Sequence, residues 1–371
     1  MEEKNLVLYR KYRPRTFSEI VGQEHVVKTL TNAILEGMVS HAYLFAGPRG
    51  TGKTTIARLL AKSLNCLNRK EKEFEPCNKC SSCLEIEHGR AIDLVEIDAA
   101  SHRGIDEIRE LRDGIRFSPT KSKYKVFIID ECHQLSKDAA NALLKTLEEP
   151  PSHAVFILAT TEIHKMIPTI VSRCQRFDFR KLTAQEIVKK LKSIIQKEKI
   201  KIDDPTLYLI ALNSEGSIRD AEGFLDQALT FAGENKEIKK EDVMNLLGIV
   251  EMNVVGEFVD FLVQKDSKRA IDFLNEVLEK GYDPYEFSKA LINYLRQLLL
   301  LKISPNSKDP LVAGLTKEEK DRFRKQLELF QESALYDTLN IFLEAQARMK
   351  YSPIPQLPLE LAVVESIDLK K

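Results

Sequence analysis

The sequence predicts an α/β domain built on a parallel sheet, then a small helical unit, then a larger helical block. Three observations predict it. Short apolar runs alternate with helical patterns over the first half of the chain, as parallel strands with helices on both faces require. From Thr183 onward no convincing strand pattern recurs. The 371-residue length accommodates two or three domains at roughly 100–200 residues each.

Taken in order, strand patterns fall at Ala42–Ala46, Ile92–Ile97, Lys125–Ile129, Ala154–Ala159 and Gln175–Phe179. Between them lie helical patterns at Lys53–Leu64, Asp106–Gly114 and Lys137–Leu147, and the α/β domain closes near Arg180. Thr183-Ala184-Gln185-Glu186 has the form of a capping box and opens a helix through about Lys197. Pro205–Asn213, Ser217–Ala232 and Lys240–Leu247 continue a compact helical unit. A second helical block runs from about Asn253 to Ser366, with breaks at Gly281–Pro284 and Ser304–Pro310. Within it Lys317–Lys350 reads as one long amphipathic pattern, and Pro353, Pro355 and Pro358 form a stiff spacer before a last helix at Leu359–Ile367. The expected domains are residues 1–180, 181–248 and 249–371.

Charge narrows the function classes. Lys and Arg total 56, Asp and Glu total 56, and the formal net charge is zero. That excludes a polycation that coats nucleic acid by bulk attraction, so any such contact is local or shared among subunits. There is no Trp. The N-terminus lacks the basic-then-apolar pattern of an export signal, and no run reaches the ~18 apolar residues of a membrane span. A cytoplasmic placement follows as the expectation.

The strand at Ala42–Ala46 runs into Gly47-Pro48-Arg49-Gly50-Thr51-Gly52-Lys53-Thr54 and then a helix, which is G-x-x-x-x-G-K-[ST] in its proper strand–loop–helix context. The glycines let successive N–H groups face phosphate oxygens, and Lys53 neutralises the β/γ-phosphates. Thr54 offers a hydroxyl to Mg²⁺, Thr55 follows in the same turn, and the helix N-terminus adds its dipole. Val126–Ile129 is a buried strand delivering Asp130 and Glu131 at its C-terminal end, where open α/β sheets bind ligands. Asp130 suits the Mg²⁺ shell, and Glu131 suits acceptance of a proton from attacking water. The expectation is a nucleoside-triphosphate hydrolase using ATP and Mg²⁺.

Cys66, Cys77, Cys80 and Cys83 read C-x10-C-x2-C-x2-C. Four thiolates suit tetrahedral Zn²⁺ with a closed shell, hence a structural site. An iron–sulfur cluster or unliganded thiols are the alternatives, though the C-x3-C-P continuation of ferredoxins is missing. The cluster lies between the phosphate-loop helix and the next strand, as an insertion. Cys132 and Cys174 stand apart and read as small buried fillers.

Asp130-Glu131-Cys132-His133 also matches the D-E-x-H of nucleic-acid helicases. Such a helicase needs a second α/β lobe, whereas the remainder here is helical. Ser172-Arg173-Cys174 and Gly216-Ser217-Ile218-Arg219-Asp220-Ala221 point elsewhere. With the phosphate loop they resemble an AAA+ ATPase, which implies a P-loop parallel-sheet domain with a zinc-binding insertion, a small helical lid and a helical collar. More narrowly, the chain is similar to the gamma/tau subunits of bacterial DNA polymerase III clamp loaders. The likeness is close over residues 5–250 and includes Tyr9-Arg10-Lys11-Tyr12-Arg13-Pro14, Val21-Gly22-Gln23-Glu24-His25, Ile97-Asp98-Ala99-Ala100-Ser101, Asn141–Pro151 and the four clustered cysteines. It is looser beyond residue 250.

The resemblance implies roles residue by residue. Arg173 is an arginine finger acting on a neighbour's ATP, Arg219 is sensor 2 on the chain's own γ-phosphate, and Thr161 is sensor 1 beside the attacking water. Each arginine has the plainer alternative of a surface or capping ion pair. The segment from Tyr12 through Pro14 to Val21 borders the adenine; as a basic-aromatic run, Tyr9–Arg15 could instead be a nucleic-acid arm. Ser101 and Arg103 are the candidate phosphate contacts to DNA, with ordinary helix capping as the alternative. Implied partners are the delta and delta prime subunits, further gamma/tau copies, the sliding clamp and primed DNA, without a membrane. The implied work is clamp loading in the cytoplasm, at the nucleoid, with no polymerase active site in this chain. Other AAA+ remodellers and a DExH helicase are the runner-up enzymes, and a subunit that binds ATP only as a switch is the non-enzymatic one. Tau forms carry further domains, so the chain is expected to be a short gamma-like form or a piece of a longer one.

Overall fold

The computed structural model describes residues 6–101, 114–115, 117–304 and 317–368. The helix expected at Asp106–Gly114 and the candidate DNA contact Arg103 lie largely or wholly outside them. The described chain forms two units, residues 1–240 and 241–371.

In the first unit the elements run α1 (Leu8–Lys11), α2 (Glu24–Glu36), β1 (Ala42–Ala46), α3 (Lys53–Leu64), α4 (Ser81–Glu87), β2 (Leu94–Asp98) and β3 (Lys125–Asp130). They continue with α5 (Lys137–Glu148), β4 (Ala154–Thr160), α6 (Pro168–Val171), β5 (Gln175–Asp178), α7 (Ala184–Glu198), α8 (Asp204–Asn213) and α9 (Ile218–Ala232). The strands pair in parallel in the order β2-β3-β4-β1-β5. Strand residues alternate between two cores because successive side chains point to opposite faces. Tyr43, Phe45, Val126, Ile128, Val155 and Ile157 pack with Leu30, Ile56 and Leu60 from α2 and α3. Leu44, Phe127, Ile129, Phe156 and Leu158 pack with Leu143 and Leu147 from α5. Burial on both faces is what makes these strands read as continuous apolar runs.

The first-unit patterns that fall on described residues lie within two residues of the observed elements, the largest offset being the start of β2 at Leu94. Register matters for function. Ala46 stands opposite Thr160, and Asp98 opposite Asp130. The C-terminal ends of β1, β3 and β4 therefore share one edge of the sheet. The capping box forms as expected: Thr183 Oγ1 accepts from Glu186 N at 3.3 Å and Glu186 Oε2 accepts from Thr183 N at 2.8 Å.

The second unit is helical: α10 (Lys240–Leu246), whose first residue closes the first unit, then α11 (Met252–Val263), α12 (Ser267–Glu279), α13 (Pro284–Ile303), α14 (Lys317–Leu329), α15 (Glu332–Met349) and α16 (Leu357–Ile367). Phe258, Phe287, Leu291, Tyr294, Leu295 and Phe342 form its core. Two expectations are corrected here. The pattern over Lys317–Lys350 is two helices, because buried Phe330 is followed by the next buried position at Leu335, a five-residue step out of phase with a 3.6-residue turn. Pro358 belongs to the first turn of α16, where its missing N–H costs nothing. Among the described residues no helix is long and apolar enough to cross a membrane.

Candidate functional site

The phosphate loop leaves β1 at Ala46 and enters α3 at Lys53. Gly47 has φ 151°, and a Cβ there would lie 2.3 Å from the Phe179 carbonyl oxygen. Gly50 has φ 74°, and a Cβ there would lie 1.9 Å from Ser217 Oγ. Only glycine meets both demands. The loop is thus packed against the strand end at Phe179 on one side and the start of α9 on the other, where Ile218 N donates to Gly50 O at 3.1 Å. Ser217 also caps α9, accepting from Asp220 N.

Lys53 is buried, and its Nζ donates to Gly47 O at 2.7 Å and Pro48 O at 2.8 Å. Burial lowers its pKa, while Glu131 and Asp130 pull it back up. An ammonium turned onto loop carbonyls beside two carboxylates is a charge held ready for an anion. Thr51 Oγ1 donates to Pro48 O, and Arg49 is exposed on the loop. Thr54 Oγ1 donates to Asp130 Oδ2 at 2.7 Å. Neighbouring ligands around octahedral Mg²⁺, at 2.0–2.1 Å each, stand about 2.9 Å apart, so these two oxygens fit that ion.

Glu131 sits in the left-handed region, φ 47° and ψ 41°, an uncommon conformation for this residue. Its Oε2 accepts from Thr161 Oγ1 at 2.8 Å and lies 3.4 Å from His133 Nδ1. His133 also reaches Thr160 Oγ1 at 3.0 Å and Glu162 Oε2 at 3.1 Å. The structure therefore brings Lys53, Thr54, Asp130, Glu131 and Thr161 to one sheet edge.

Three arginines converge nearby. Arg13 Nε donates to Thr55 Oγ1 at 3.3 Å. Its pKa falls to about 10, through burial first and then through the positive charges of Arg58 and Arg219, against Glu96 and Asp130. Arg219 stacks on Tyr9, its guanidinium carbon 5.0 Å from the ring centroid. Arg58 is itself paired with Glu96, and the group adds positive charge beside the phosphate loop. Arg13 belongs to the Tyr9–Pro14 motif, and its reach to Thr55 is set by packing between distant positions that the sequence does not disclose.

The wall from Tyr12 to Val21 is tied to the helices around it. Tyr12 OH donates to Glu198 Oε1 at 2.7 Å, and burial followed by Glu198 raises its pKa to about 12. Lys190 Nζ donates to Tyr12 O at 3.1 Å. Pro14 and Val21 are half-buried in the same segment. Buried Gln23 donates to Arg180 O at 2.8 Å and accepts from Arg180 N at 3.3 Å, another link the sequence did not disclose.

Arg173 is apart from this group. It pairs with Glu148 at 2.6 Å and donates to Thr169 O at 2.9 Å. Ser101 is exposed and donates its hydroxyl to Asp98 Oδ2 at 2.7 Å.

The four clustered cysteines bring their sulfurs within 4.8 Å of one another. Cys66 and Cys80 sulfurs are 4.0 Å apart, Cys77 and Cys83 sulfurs 3.9 Å. A tetrahedral zinc with Zn–S near 2.3 Å places its sulfurs about 3.8 Å apart, so the set fits that ion. Backbone N–H groups of Lys79 and Cys80 donate to Cys77 Sγ at 3.4 and 3.3 Å. Against the effect of burial, they help bring that thiol down to about 6, while burial raises Cys66 and Cys83. Cys132 is buried against Met166 and Cys174 is half-buried; burial raises both thiols, Cys174 to about 12.

The family model described as "DNA polymerase III, delta subunit" matches residues 22–183. That of the "DNA polymerase III clamp loader subunit, ATPase lid domain" matches 186–234, and that of "DNA polymerase III subunits gamma and tau domain III" matches 238–371. DNA polymerase III subunit gamma of Buchnera aphidicola (subsp. Acyrthosiphon pisum) is 39% identical over 97% of this chain and 98% of its own length. The chain belongs to the gamma/tau family of DNA polymerase III subunits. Within that family, Bacillus subtilis subunit tau is 45% identical over 96% of this chain, and Escherichia coli K12 subunit tau 36% over 97%. The chain spans 62% and 55% of the length of those two tau relatives. Among solved structures, the Thermotoga maritima RuvB Holliday junction branch migration motor aligns with TM-score 0.47 at 20% identity, over 84% of this chain and 98% of that one. The resemblance to gamma/tau proteins expected from the motifs is thus a family membership.

Proposed function

We propose that the chain is the ATPase motor subunit of the bacterial DNA polymerase III clamp loader, coupling ATP binding and hydrolysis to placement of the sliding clamp on primed DNA. The observation that carries this is the shared sheet edge: a glycine-shaped phosphate loop, the Thr54–Asp130 oxygen pair and the Thr161–Glu131 pair, ringed by Arg13, Arg58 and Arg219.

The phosphate-loop residues Gly47 to Thr55 cradle the triphosphate through N–H groups, and Lys53 offsets its charge. Thr54 and Asp130 would hold Mg²⁺, which neutralises charge on the phosphate oxygens. Glu131 accepts the proton of the attacking water, and Thr161 holds that carboxylate in place. Arg219 enters from α9, whose start already packs on the loop, so binding of the γ-phosphate holds the lid helices against it. Arg173, half-exposed on an ion pair with Glu148, is free to exchange that partner for a neighbour's phosphate. A finger supplied in trans ties hydrolysis to assembly. Tyr12, Pro14 and Val21 wall the adenine. Residues 1–180, 181–248 and 249–371 serve as ATPase domain, lid and collar. Ser101 and Arg103 contact DNA phosphates, and the partners are delta, delta prime, further gamma/tau copies and the clamp. Zinc in the cysteine module is structural. The setting is the cytoplasm, at the nucleoid.

The deciding experiment measures ATPase activity with and without primed DNA, clamp and partner subunits. Stimulation by DNA and clamp together is expected. Clamp-independent strand unwinding, or no stimulation, would favour a helicase or another remodeller. The absence of a second α/β lobe among the described residues favours the motor reading.

A further inference from the structure

The cysteine module is fastened to the wall of the nucleotide cleft. Glu75, in the loop between Cys66 and Cys77, accepts from Phe17 N at 2.8 Å and Ser18 N at 2.9 Å, one carboxylate oxygen to each. Asn78 has φ 56° and donates Nδ2 to Arg15 O at 3.1 Å. Phe74 meets Phe17 edge-on with centroids 6.4 Å apart, and Phe17 is 1% exposed. Arg15 pairs at 3.0 Å with Glu87 of α4, the helix that carries Cys83. The module also grips α3, through Lys62–Glu87 at 3.1 Å and Ser63 Oγ donating to Phe74 O. Only two residues before Arg15, Arg13 bonds Thr55 in the first turn of α3.

Between Leu64 and Ser81 the chain forms neither helix nor strand. Such a loop has few backbone bonds of its own to set its shape, and a four-sulfur cross-link supplies that constraint. Glu75 sits inside the cross-linked loop, so its position follows from the closure of the four sulfurs.

We propose that the cysteine module is a zinc-dependent brace for the nucleotide site, with Glu75 as the positioning residue that holds the Tyr12–Val21 wall against α3. The proposal rests on the nucleotide reading above and adds a task for the module: metal loading sets nucleotide affinity. Charge-assisted bonds to two backbone N–H groups are strong enough for this, because each is worth more than a neutral bond.

The test is equilibrium titration of the full chain with a fluorescent ATP analogue, with zinc content measured on the same samples. Lys53→Ala must abolish most binding; if the wild type shows no Lys53-dependent binding, the nucleotide reading falls and takes the brace with it. Given that binding, stripping zinc with a chelator is expected to raise Kd about tenfold, with recovery on reloading. Glu75→Gln keeps the size and touches none of the four sulfurs but loses one acceptor oxygen, and is expected to raise Kd about fivefold. Unchanged Kd in both cases, with Lys53-dependent binding intact, overturns the brace and leaves the nucleotide site standing. Should Glu75→Gln lose zinc or its fold, hydrogen exchange at Phe17 and Ser18 of the wild type decides. Faster exchange at those two amides on zinc removal, with β3 amides unaltered, supports the brace, and unaltered exchange there refutes it.

Discussion

Thr161 Oγ1 donates to Glu131 Oε2 at 2.8 Å, across the gap between the ends of β4 and β3. The bond occupies one lobe of the carboxylate that, on the proposed reading, also takes a proton from water. Holding it in one orientation serves that transfer, because general-base catalysis depends on geometry before pKa. Glu131→Gln should leave nucleotide affinity within a few-fold of wild type and slow single-turnover hydrolysis by about 10²-fold or more. Thr161→Val should act in the same direction but less. A Glu131→Gln protein that hydrolyses ATP normally would remove Glu131 from the proton transfer.

Gly50 and Ser217 make contact only because Gly50 lacks a side chain. Gly50→Ala adds a Cβ 1.9 Å from Ser217 Oγ at a backbone φ of 74°. The positive φ alone costs about 1–3 kcal/mol, and the clash forces α9 away from the loop. Expected are a lower melting temperature and a higher nucleotide Kd. Ser217→Gly in the same chain should restore part of the loss, since it relieves the clash and not the φ. Full restoration would show that backbone strain at Gly50 is negligible.

What the sequence disclosed follows a physical divide. The phosphate loop, the Asp130-Glu131 pair and the cysteine spacing are legible because each function needs particular residue types a few positions apart. The central strands β1, β3 and β4 are legible because burial on both faces leaves apolar runs. The Arg13–Thr55, Gln23–Arg180 and Glu75–Phe17 contacts are not, because they join distant positions and are fixed by packing. The break at Phe330 was hidden for a related reason. Both flanking helices are amphipathic, and a one-residue phase slip is small beside the scatter of their patterns.

Arg173 pairs with Glu148 at the surface, its side chain 33% exposed. Exposed pairs of this kind contribute about 0–1 kcal/mol, so Arg173→Ala should leave the melting temperature and nucleotide Kd of the isolated chain nearly unchanged. In a mixed assembly it should cut hydrolysis at the adjacent subunit by about 10³-fold if it acts as a finger in trans. Steady-state ATPase of assemblies carrying a known fraction of the variant reads this directly. Undiminished turnover would return Arg173 to the role of a surface ion pair.

Glu222 lies on α9 one turn beyond Arg219 and is 5% exposed. Burial raises its pKa to about 7, with Lys190 of α7 pulling the other way. Lys190 in turn is lowered by burial and feels Glu222, Glu19 and Lys197. The folded-state value of Glu222 stands above that of an unfolded glutamate, near 4.3, so folding favours the protonated form. Its stabilising contribution is complete below about pH 4, declines as pH rises, and is gone once pH passes about 7. At pH 8 the buried carboxylate costs the fold up to roughly 4 kcal/mol, at about 1.4 kcal/mol for each pKa unit. Glu222→Gln removes that cost while keeping the volume. Urea unfolding of variant and wild type should show the variant more stable at pH 8, with the difference closing near pH 4.5. A variant less stable at pH 8 would mean that the attraction of Lys190 outweighs the burial of the Glu222 charge, so that the two form a stabilising pair between α7 and α9.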